Sequence, residues 1–414
     1  MYKILMKRIG NLHSQIADID NIEYADEKAR KNKGKNWGVF KHDKHKREDN
    51  LKLLMALKDL TYVTSPYSNF IIYEPKERLI FRLPYYPDRI VHHSIMNIME
   101  PIWIKIFIDQ SYSCIKGRGI HKLAKDIMRA LKDKEGTMYC LKLDITKFYP
   151  SVDHAILKEI IRKKVKDKKL LVLLDGIIDS ADGVPIGNYL SQFFANLYLT
   201  YFDHWLKEEV GVKYYFRYAD DIVILSDSKE FLHKVMILIK LYLKAVLNLK
   251  VKPNYQIFPV DSRGIDFVGY RFYHTHTLLR KSIKKNLLKL IERYKKGLIT
   301  KEDLKRRLSS YFGWLKYCNS KNLLRLVEAQ TGIHYSNWNG KESKISNFYE
   351  KYIYIIEKVD YEKYFKIHFI YRGKSHSVNS RSKGLQQELN KQHYPLIYKL
   401  HKNGSKKNHF KSAA

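Results

Sequence analysis

Apolar and aromatic positions in residues 214–226 form two strand-prone runs, which flank the adjacent carboxylates Asp220 and Asp221. The simplest conformation for this pattern is a strand, a tight turn and a second strand, with both aspartates at the turn. Two like charges side by side on an apolar hairpin repel each other unless a cation lies between them. The alternative is an ordinary turn that happens to read Asp-Asp, because Asp is a favoured turn residue.

Changes in hydrophobic period predict the elements around this hairpin. Residues 138–144 alternate as a strand that ends in the carboxylate of Asp144, and Pro150 marks the start of a helix. Residues 69–73 and 78–83 are strand-like runs around a turn, which predicts a hairpin with a basic tip. Further patterns predict a helix, a basic loop and a helix over residues 1–60, helices over 88–108, 121–132, 193–206 and 231–247, strands over 250–258 and 265–272, helices after 280, and a short hairpin over 365–378.

Positive charge is concentrated in the flanks of the chain. The 414 residues carry a formal net charge of +34, but residues 139–228 hold 12 Lys/Arg and 13 Asp/Glu, whereas residues 281–414 hold 30 and 10. A generally basic composition is the simpler explanation, yet the neutral middle favours a polyanionic partner bound around an anionic metal centre. The basic loop at 28–47 includes Trp37 and Phe40, so it is either a solvated charge run or a surface for single-stranded RNA.

Cysteine usage and hydropathy argue against several classes of protein. The three cysteines, Cys114, Cys140 and Cys318, form no Cys-x-x-Cys motif, so neither a disulfide framework nor a structural zinc site is expected. The N-terminus lacks the apolar core of a signal peptide, and no apolar run is long enough to span a bilayer. We therefore expect a cytoplasmic protein with no membrane partner.

One carboxylate at a strand end and two at a hairpin turn are the minimum set for a two-metal site. Asp144 is separated from Asp220 and Asp221 by a Gly/Pro loop at 183–192 and a helix. Two Mg²⁺ ions about 3.5–4 Å apart need several carboxylate oxygens in one place, one ion to activate the attacking hydroxyl and one to stabilise the leaving pyrophosphate. A turn or helix-capping aspartate is the alternative for Asp144.

Taken in order, these motifs resemble those of reverse transcriptases. Residues 218–221 resemble the Tyr-x-Asp-Asp box and residues 143–149 the first catalytic motif; residues 265–270 are similar to the primer grip, and residues 311–316 to thumbs of the group II intron-like branch. The resemblance covers about residues 60–330. It implies an α+β, right-hand polymerase fold with fingers, a palm made of an antiparallel sheet with helices, and a helical thumb. The domains expected are a basic N-terminal extension (1–60), fingers (61–138), palm with interleaved fingers elements (139–275), thumb (276–335) and a basic C-terminal extension (336–414).

The same resemblance implies roles for individual residues. Asp144, Asp220 and Asp221 are the expected catalytic residues and ligands of two Mg²⁺ ions, for which Mn²⁺ is a possible substitute, and the Ile145 carbonyl is an expected extra ligand. Tyr149 lies at the position of the aromatic gate that excludes a ribose 2′-OH, although a core aromatic is its alternative. The expected nucleotide contacts are Lys76, Arg78, Arg82, Tyr149 and Gly187, and the expected contacts with nucleic acid are Lys281, Lys284, Lys285, Arg306 and Arg307.

The loop before the palm helix departs from most of the family. Most members have Gln-Gly and then Ser-Pro, where this chain has Ile186-Gly187 and Ser191-Gln192. This pattern resembles reverse transcriptases of diversity-generating retroelements, as do residues 107–114 and 117–121. Ile186, Ser191 and Gln192 are thus expected to affect fidelity and the template, because isoleucine lacks the hydrogen bond that glutamine offers. The alternative is that Ile186 only packs.

That branch implies a bacterial or phage-encoded enzyme that copies a template-repeat RNA into adenine-mutagenised cDNA and so diversifies a target gene. Its implied partners are template RNA, the primer or cDNA strand, deoxynucleoside triphosphates and a basic, oligomeric accessory variability protein. Two other functions stay open: an antiphage-defence or retron-like reverse transcriptase, and a non-catalytic RNA-binding scaffold. The intact Asp144, Asp220 and Asp221 argue against the scaffold.

Overall fold

The computed structural model describes residues 8–73 and 77–335, together with the backbone of two strands further on. Helices and strands both contribute, and every named strand pairs antiparallel, so the predicted α+β class is confirmed. The helices are α1 His13–Ile16, α2 Ile19–Arg30, α3 Trp37–Asp43, α4 Lys46–Lys58, α5 Ile90–Ile104, α6 Ile120–Ala130, α7 His154–Arg162, α8 Lys168–Ile178, α9 Tyr189–His204, α10 Lys229–Leu247, α11 Val260–Arg263, α12 Lys281–Lys295, α13 Lys301–Leu315 and α14 Lys321–Thr331. The strands are β1 Ser68–Ile72, β2 Arg78–Arg82, β3 Tyr139–Asp144, β4 Tyr214–Tyr218, β5 Asp221–Ser226, β6 Gln256–Pro259, β7 Ile265–Phe267, β8 Tyr270–Phe272, β9 Thr277–Leu279, β10 Phe365–Tyr371 and β11 Lys374–Ser380.

Contacts divide the chain into two compact units. One comprises Met1–Arg280 with Tyr317–Asn319, and the other Lys281–Lys316 with Ser320–Ala414. In the second unit α12 packs against α13 and α14, and Leu287, Leu308 and Val327 are buried. The predicted domain boundaries stay predictions. No helix in the described ranges combines the length and the apolar character needed to cross a membrane.

The largest sheet of the first unit has four strands in the order β4-β5-β3-β6. Its two central strands carry the most apolar sequences, and α10 packs against β3, β5 and β6. The helix α9 is buried on nearly all of its sides and packs against α5, α7 and α10, as expected for a helix at the centre of a core. Packing against these helices holds the sheet in position. It also holds the end of the sheet at which β3 stops and β5 begins.

The predicted hairpin at 69–83 is present as β1 and β2, with Ser68 opposite Arg82. Its tip at 74–76, including the expected nucleotide contact Lys76, lies outside the described residues. The N–H of Phe81 donates to the carbonyl of Ile186 at 2.8 Å, so the hairpin is tied to the loop at 183–188. The hairpin expected at 365–378 is also present, as β10 paired with β11, and its turn at 372–373 is not among the described residues.

Two predicted strands are wrong in their extent. Residues 265–272 are a tight hairpin of β7 and β8, because Val268 and Gly269 have φ values of 39° and 86°, which turn the chain back. Of residues 250–258 only the end is a strand, β6, although Val251 also bridges to Ile145. An alternating pattern shows which residues are buried, but it does not show where a strand folds back.

Candidate active site

The three predicted catalytic carboxylates meet at one end of the central sheet. Asp144 is the last residue of β3 and lies directly opposite Asp221, the first residue of β5. Sequence reasoning placed both aspartates of the pair in the turn; instead only Ala219 and Asp220 form it, and Asp221 belongs to the strand. The side chain of Asp220 lies close enough to Asp144 for the charge of Asp144 to act on it. The structure therefore brings together side chains that are 76 and 77 positions apart in the chain.

The environment of these carboxylates disfavours their charged forms. Burial raises the pKa of Asp220 well above the usual range of an aspartate, and the charge of Asp144 raises it further. Burial also raises the pKa of Asp221, while the nearby ammonium of Lys142 opposes that shift. Acidic groups that are both desolvated and crowded ionise readily only when a cation compensates them.

Lys252 supplies one such cation. Its ammonium donates a hydrogen bond to Asp144 Oδ2, and its backbone N–H donates to the Asp144 carbonyl at 2.9 Å. The second carboxylate oxygen, Asp144 Oδ1, is buried and has no hydrogen-bond partner within the described residues. Sequence analysis assigned Lys252 no role, since it falls in a stretch that was read only as a strand. Lys252 and Asp144 are 108 positions apart, so no local pattern indicates this contact.

The same residues fit a divalent cation. The fit rests on the unsatisfied Asp144 Oδ1 and on the raised pKa values of Asp220 and Asp221, because carboxylate oxygens with excess negative charge are the ligands that Mg²⁺ prefers. As the side chains stand, no three His, Cys, Asp or Glu groups in the described part of the chain form a ready-made metal cluster. The neighbouring backbone hydrogen bonds run from the Lys252 N–H to the Asp144 carbonyl and from the Thr146 N–H to the Lys250 carbonyl. Neither of them uses the Ile145 carbonyl.

A buried arginine holds the turn that carries Asp220. Arg217 forms an ion pair with Asp203 through Nε and Nη2, at 2.7 and 2.5 Å, and both side chains are buried. Its Nη1 donates to the Ala219 carbonyl at 3.0 Å, where φ is +54°. The guanidinium also bonds Asn196 and Ser111. Arg217 and Asp203 are thus positioning residues that sequence reasoning missed, because their pairing across 14 positions leaves no local pattern.

The candidate gate Tyr149 lies beside the loop at 183–188. Its carbonyl accepts the N–H of Val184 at 2.9 Å, and a Cβ at Gly183, whose φ is +59°, would lie 2.6 Å from that carbonyl. The side chain is half-buried, burial raises its pKa, and the charges of Asp220 and Arg78 both act on it. The turn that carries Asp220 and the strand β2 therefore both contribute charges that act on Tyr149. Its role as a gate stays a prediction.

The other predicted nucleotide and template contacts are placed as follows. Arg78 and Arg82 are exposed at opposite ends of β2. Gly187 has φ +124°, and a Cβ there would collide with the Phe81 carbonyl, so close packing alone requires glycine. Ile186 is half-buried. In α9, Ser191 is buried and Gln192 exposed.

The five predicted nucleic-acid contacts lie in the second unit. Lys281, Lys284 and Lys285 are exposed on α12, and Arg306 and Arg307 are exposed on α13. Arg306 bonds Asp303 at 2.6 Å, an exposed pair of small energetic value. These side chains form a basic surface on the two helices, and their binding role stays a prediction.

The family model described as "Reverse transcriptase (RNA-dependent DNA polymerase)" matches residues 74–272. This segment contains the sheet end with Asp144, Asp220 and Asp221, together with Tyr149 and the loop at 183–188. Residues 74–272 are therefore similar to the reverse transcriptase domain of the RNA-dependent DNA polymerases.

Several curated proteins are similar to parts of this chain. Protein YkfC from Escherichia coli K12 is 29% identical over 153 residues, which cover 33% of this chain and 40% of that protein. Group II intron-encoded protein LtrA from Lactococcus lactis subsp. cremoris is 26% identical over 168 residues, 37% of this chain and 28% of LtrA. Retron Ec73 reverse transcriptase from Escherichia coli is 23% identical over 298 residues, 64% of this chain and 91% of the relative. The chain thus spans less than half the length of the first two.

Solved structures of telomerase are also similar. Apo telomerase from Candida tropicalis is 13% identical, with a TM-score of 0.40, and the match covers 74% of this chain and 70% of that chain. Telomerase from Candida albicans with a fragment of telomeric RNA is 12% identical, with a TM-score of 0.38, and the match covers 75% and 68%.

Proposed function

We propose that this protein is an RNA-directed DNA polymerase that extends a primer along an RNA template by two-metal nucleotidyl transfer. The observation that carries the proposal is the convergence of Asp144, Asp220 and Asp221 at one sheet end, inside a segment that matches the reverse transcriptase family. Enzymes of this family use divalent metal ions. Mg²⁺, with Mn²⁺ as a substitute, is the ion proposed here.

In this proposal the residues of the chain have the following roles. Asp144, Asp220 and Asp221 would hold two ions, whose chemistry would be to activate the primer 3′-hydroxyl and to stabilise the leaving pyrophosphate. Arg217 fixes the turn, so that Asp220 is held towards Asp144 through the Ala219 carbonyl. Lys252 neutralises Asp144 in the metal-free protein and must release Oδ2 when an ion takes that oxygen. Pre-positioned charges of this kind lower the cost of reorganisation during the reaction.

We propose that Tyr149 selects deoxynucleotides. Its side chain is half-buried, and its main-chain carbonyl accepts a hydrogen bond from the N–H of Val184. In this role the aromatic ring would exclude a ribose 2′-OH. Arg78 and Arg82, with Lys76 at the hairpin tip, are proposed to contact the triphosphate, because arginine suits bidentate binding of phosphate.

The test is primer extension by the purified full chain. A labelled DNA primer is annealed to an RNA or a DNA template, and deoxynucleotides or ribonucleotides are added with Mg²⁺. We expect full-length product on RNA with deoxynucleotides and little product with ribonucleotides. Absence of DNA synthesis on RNA, with either Mg²⁺ or Mn²⁺, would refute the proposed activity.

Within this class we propose the error-prone branch of diversity-generating retroelements. The support is the loop at 183–188, where Ile186 replaces the glutamine of most family members and offers only its main-chain carbonyl, bonded to Phe81. The proposal includes template-repeat RNA, an accessory variability protein and a cytoplasmic, bacterial or phage-encoded setting. An imperfect repeat in the flanking DNA that differs mainly at adenines would support it.

A retron-like or defence enzyme is the second candidate. It is favoured by the retron reverse transcriptase that this chain matches over 91% of that relative's length. A structured non-coding RNA or a toxin gene next to the coding sequence would favour this candidate over the first. Both candidates require the same carboxylates, so the flanking DNA separates them and the extension assay does not.

If the chain belongs to the error-prone branch, we expect a substitution of Ile186 to change the fidelity of copying. Because the Ile186 carbonyl is fixed by Phe81, Ile186→Gln changes the side chain while this backbone bond can stay in place. A hydrogen bond regained in a dry site changes discrimination by about 1–3 kcal/mol, or roughly ten- to over a hundredfold. We expect fewer errors, above all opposite template adenine, when cDNA from both proteins is sequenced. Ile186→Leu is the matched control, and identical error spectra for Ile186→Gln and the unchanged protein would show that Ile186 only packs.

A further inference from the structure

Lys142 lies between the catalytic end of the central sheet and the hairpin formed by β7 and β8. It is two residues before Asp144 on β3, so both side chains point to the same face of the sheet. Its register partner on β5 is Val223, two residues after Asp221. Because directly opposite residues of an antiparallel pair share a face, Lys142 lies on the face that carries Asp144 and Asp221.

The ammonium of Lys142 bonds to the backbone of the hairpin. It donates a hydrogen bond to the main-chain carbonyl of Asp266, in β7. β7 is an edge strand of the sheet β7-β8-β9, and Asp266 lies opposite Arg271 in the middle of the ladder. In a hairpin with a two-residue turn this middle pair exchanges no backbone hydrogen bonds, so its carbonyl points away from the partner strand. Lys142 therefore supplies a donor that the hairpin itself does not offer.

Asp266 is also held by Arg280. The side-chain Nε of Arg280 donates to Asp266 Oδ1 at 2.6 Å, and its backbone N–H donates at 2.9 Å to the carbonyl of Gly269, in the turn of the hairpin. The charge of Arg280 also acts on Asp221. Arg280 thus fixes the shape of the hairpin at Asp266 and at the turn, whereas Lys142 joins the hairpin to the central sheet.

Charges of opposite sign alternate across this contact. Asp221 and Asp266 are the anions, and Lys142 and Arg280 are the cations. Burial raises the pKa of Asp221, and the charges of Lys142 and Arg280 both oppose that shift. Because the Asp266 carbonyl holds the ammonium of Lys142, the charge stays at one point beside Asp221 instead of moving with a flexible side chain. It therefore reduces the repulsion among the crowded carboxylates from a fixed position.

Apolar packing holds the hairpin but does not set its exact position. Ile265, Phe267, Tyr270 and Phe272 are fully buried and lie on one face of β7 and β8. Asp266, which alternates with them, is half-buried. Burial of apolar surface is non-directional and tolerates a small shift of the hairpin, whereas a hydrogen bond from a charged donor requires a defined distance and angle. The bond from Lys142 is thus the contact that sets the position of β7 relative to β3.

We propose that Lys142 is a positioning residue for nucleotidyl transfer, which holds the hairpin of β7 and β8 beside Asp221 and keeps that carboxylate in place. It acts through Asp266 and Asp221. Its effect on the reaction rests on the proposed polymerase function, whereas its anchoring of the hairpin does not. A displacement of about 1 Å in the groups that align reactants reduces a rate about a hundredfold, so loss of the anchor affects kcat.

The first arm of the test measures the anchoring without catalysis. Lys142→Met removes both the donor and the charge, and Lys142→Arg keeps both. Hydrogen exchange of the backbone amides at 265–272 is followed by mass spectrometry in the full chain. We expect exchange about tenfold faster in Lys142→Met, because a hydrogen bond from a charged donor is lost, and unchanged exchange in Lys142→Arg. Amides of α8 should exchange at the same rate in all variants.

The second arm measures steady-state primer extension on an RNA template with Mg²⁺. We expect kcat of Lys142→Met to fall at least about tenfold while KM for the deoxynucleotide stays within about twofold, and Lys142→Arg to recover most of kcat. Lys132→Met, which changes an exposed lysine before β3, is the matched control and should behave as the unchanged protein in both arms. If the unchanged protein makes no DNA, the polymerase proposal fails and the exchange arm still decides on the anchoring.

Several results would overturn the role of Lys142. They are equal exchange of the hairpin amides in Lys142→Met and the unchanged protein, an unchanged kcat in an active Lys142→Met, and failure of Lys142→Arg to restore either quantity. Equally accelerated exchange in α8 would also overturn it, because the substitution would then destabilise the whole fold. If Lys142→Met does not fold, Lys142→Gln replaces it with the same expectations, since its shorter, uncharged side chain stays polar.

Discussion

At the scale of single residues, the catalytic turn depends on side chains that do not react. Asp220 is recognisable from the sequence, because an adjacent pair of aspartates between strand-like runs is a strong local pattern. Arg217, Asp203 and Lys252 are not, since each acts through a partner that is remote in the chain. Residues whose role depends on a tertiary contact have no signature that a single sequence can reveal.

Arg217→Met should destabilise the protein strongly. The substitution leaves the buried carboxylate of Asp203 without its cation, which costs about 3–5 kcal/mol in comparable buried pairs. Urea unfolding of both proteins measures the free energy of unfolding. The double variant Arg217→Met/Asp203→Asn should recover part of the loss, because the uncompensated charge is removed. A loss below about 1 kcal/mol in the single variant would contradict the buried ion pair.

Lys252→Met should make the protein more dependent on metal. Without the ammonium, Asp144, Asp220 and Asp221 repel one another, and we expect the metal-free protein to lose about 1–3 kcal/mol of stability. Mg²⁺ should then raise the melting temperature of the variant more than that of the unchanged protein, because no ammonium has to be displaced.

The matched control for Lys252 is Lys250→Met, an exposed lysine two residues away. It should leave the response to Mg²⁺ unchanged. An equal response to Mg²⁺ in Lys252→Met and the unchanged protein would show that Lys252 does not compete for the oxygen of Asp144.

At the scale of elements, the loop at 183–188 contacts both Tyr149 and the strand β2. The hydropathy pattern predicts these elements without indicating any contact between them. The Tyr149 carbonyl accepts from Val184 on one side, and the Ile186 carbonyl accepts from Phe81 on the other. The amphipathic pattern located α9 and α10 to within a few residues, because a long periodic segment constrains a helix. It missed the division of β7 from β8, because the turn is set by two positive φ values in a segment that is apolar throughout.

The basic residues on α12 and α13 lead us to expect that the affinity for RNA falls as the salt concentration rises. Replacing Lys281, Lys284, Lys285, Arg306 and Arg307 with glutamine should reduce the slope of log affinity for RNA against log salt by about 1–3, because fewer counterions are released. Binding is measured across a salt series with one RNA.

The control for this series keeps the charge and changes the side chain. Lys281→Arg/Lys284→Arg/Lys285→Arg should leave the slope unchanged. If the glutamine variant has the same slope as the unchanged protein, the backbone contacts lie elsewhere, and the basic loop at 28–47 is the next region to test.

At the scale of the whole molecule, charge and chemistry are separated along the chain. The segment 74–272, which the reverse transcriptase family model matches, contains the carboxylates, while basic residues are concentrated in residues 28–47 and on α12 and α13. The loop predicted at 28–47 is wrong in part, because α3 Trp37–Asp43 lies within it. The order of motifs was enough to predict the α+β class and the type of domain.

The central claim is that Asp144, Asp220 and Asp221 carry DNA synthesis on RNA. The most direct measurement is primer extension by Asp220→Asn and Asp221→Asn beside the affinity of each variant for the same primer–template. Loss of a metal ligand should abolish extension, whereas affinity should change little because phosphate contacts dominate binding. Asp227→Asn, a change in a carboxylate just beyond β5, is the control and should extend normally. Substantial DNA synthesis by either Asp220→Asn or Asp221→Asn would contradict the assignment of the active site.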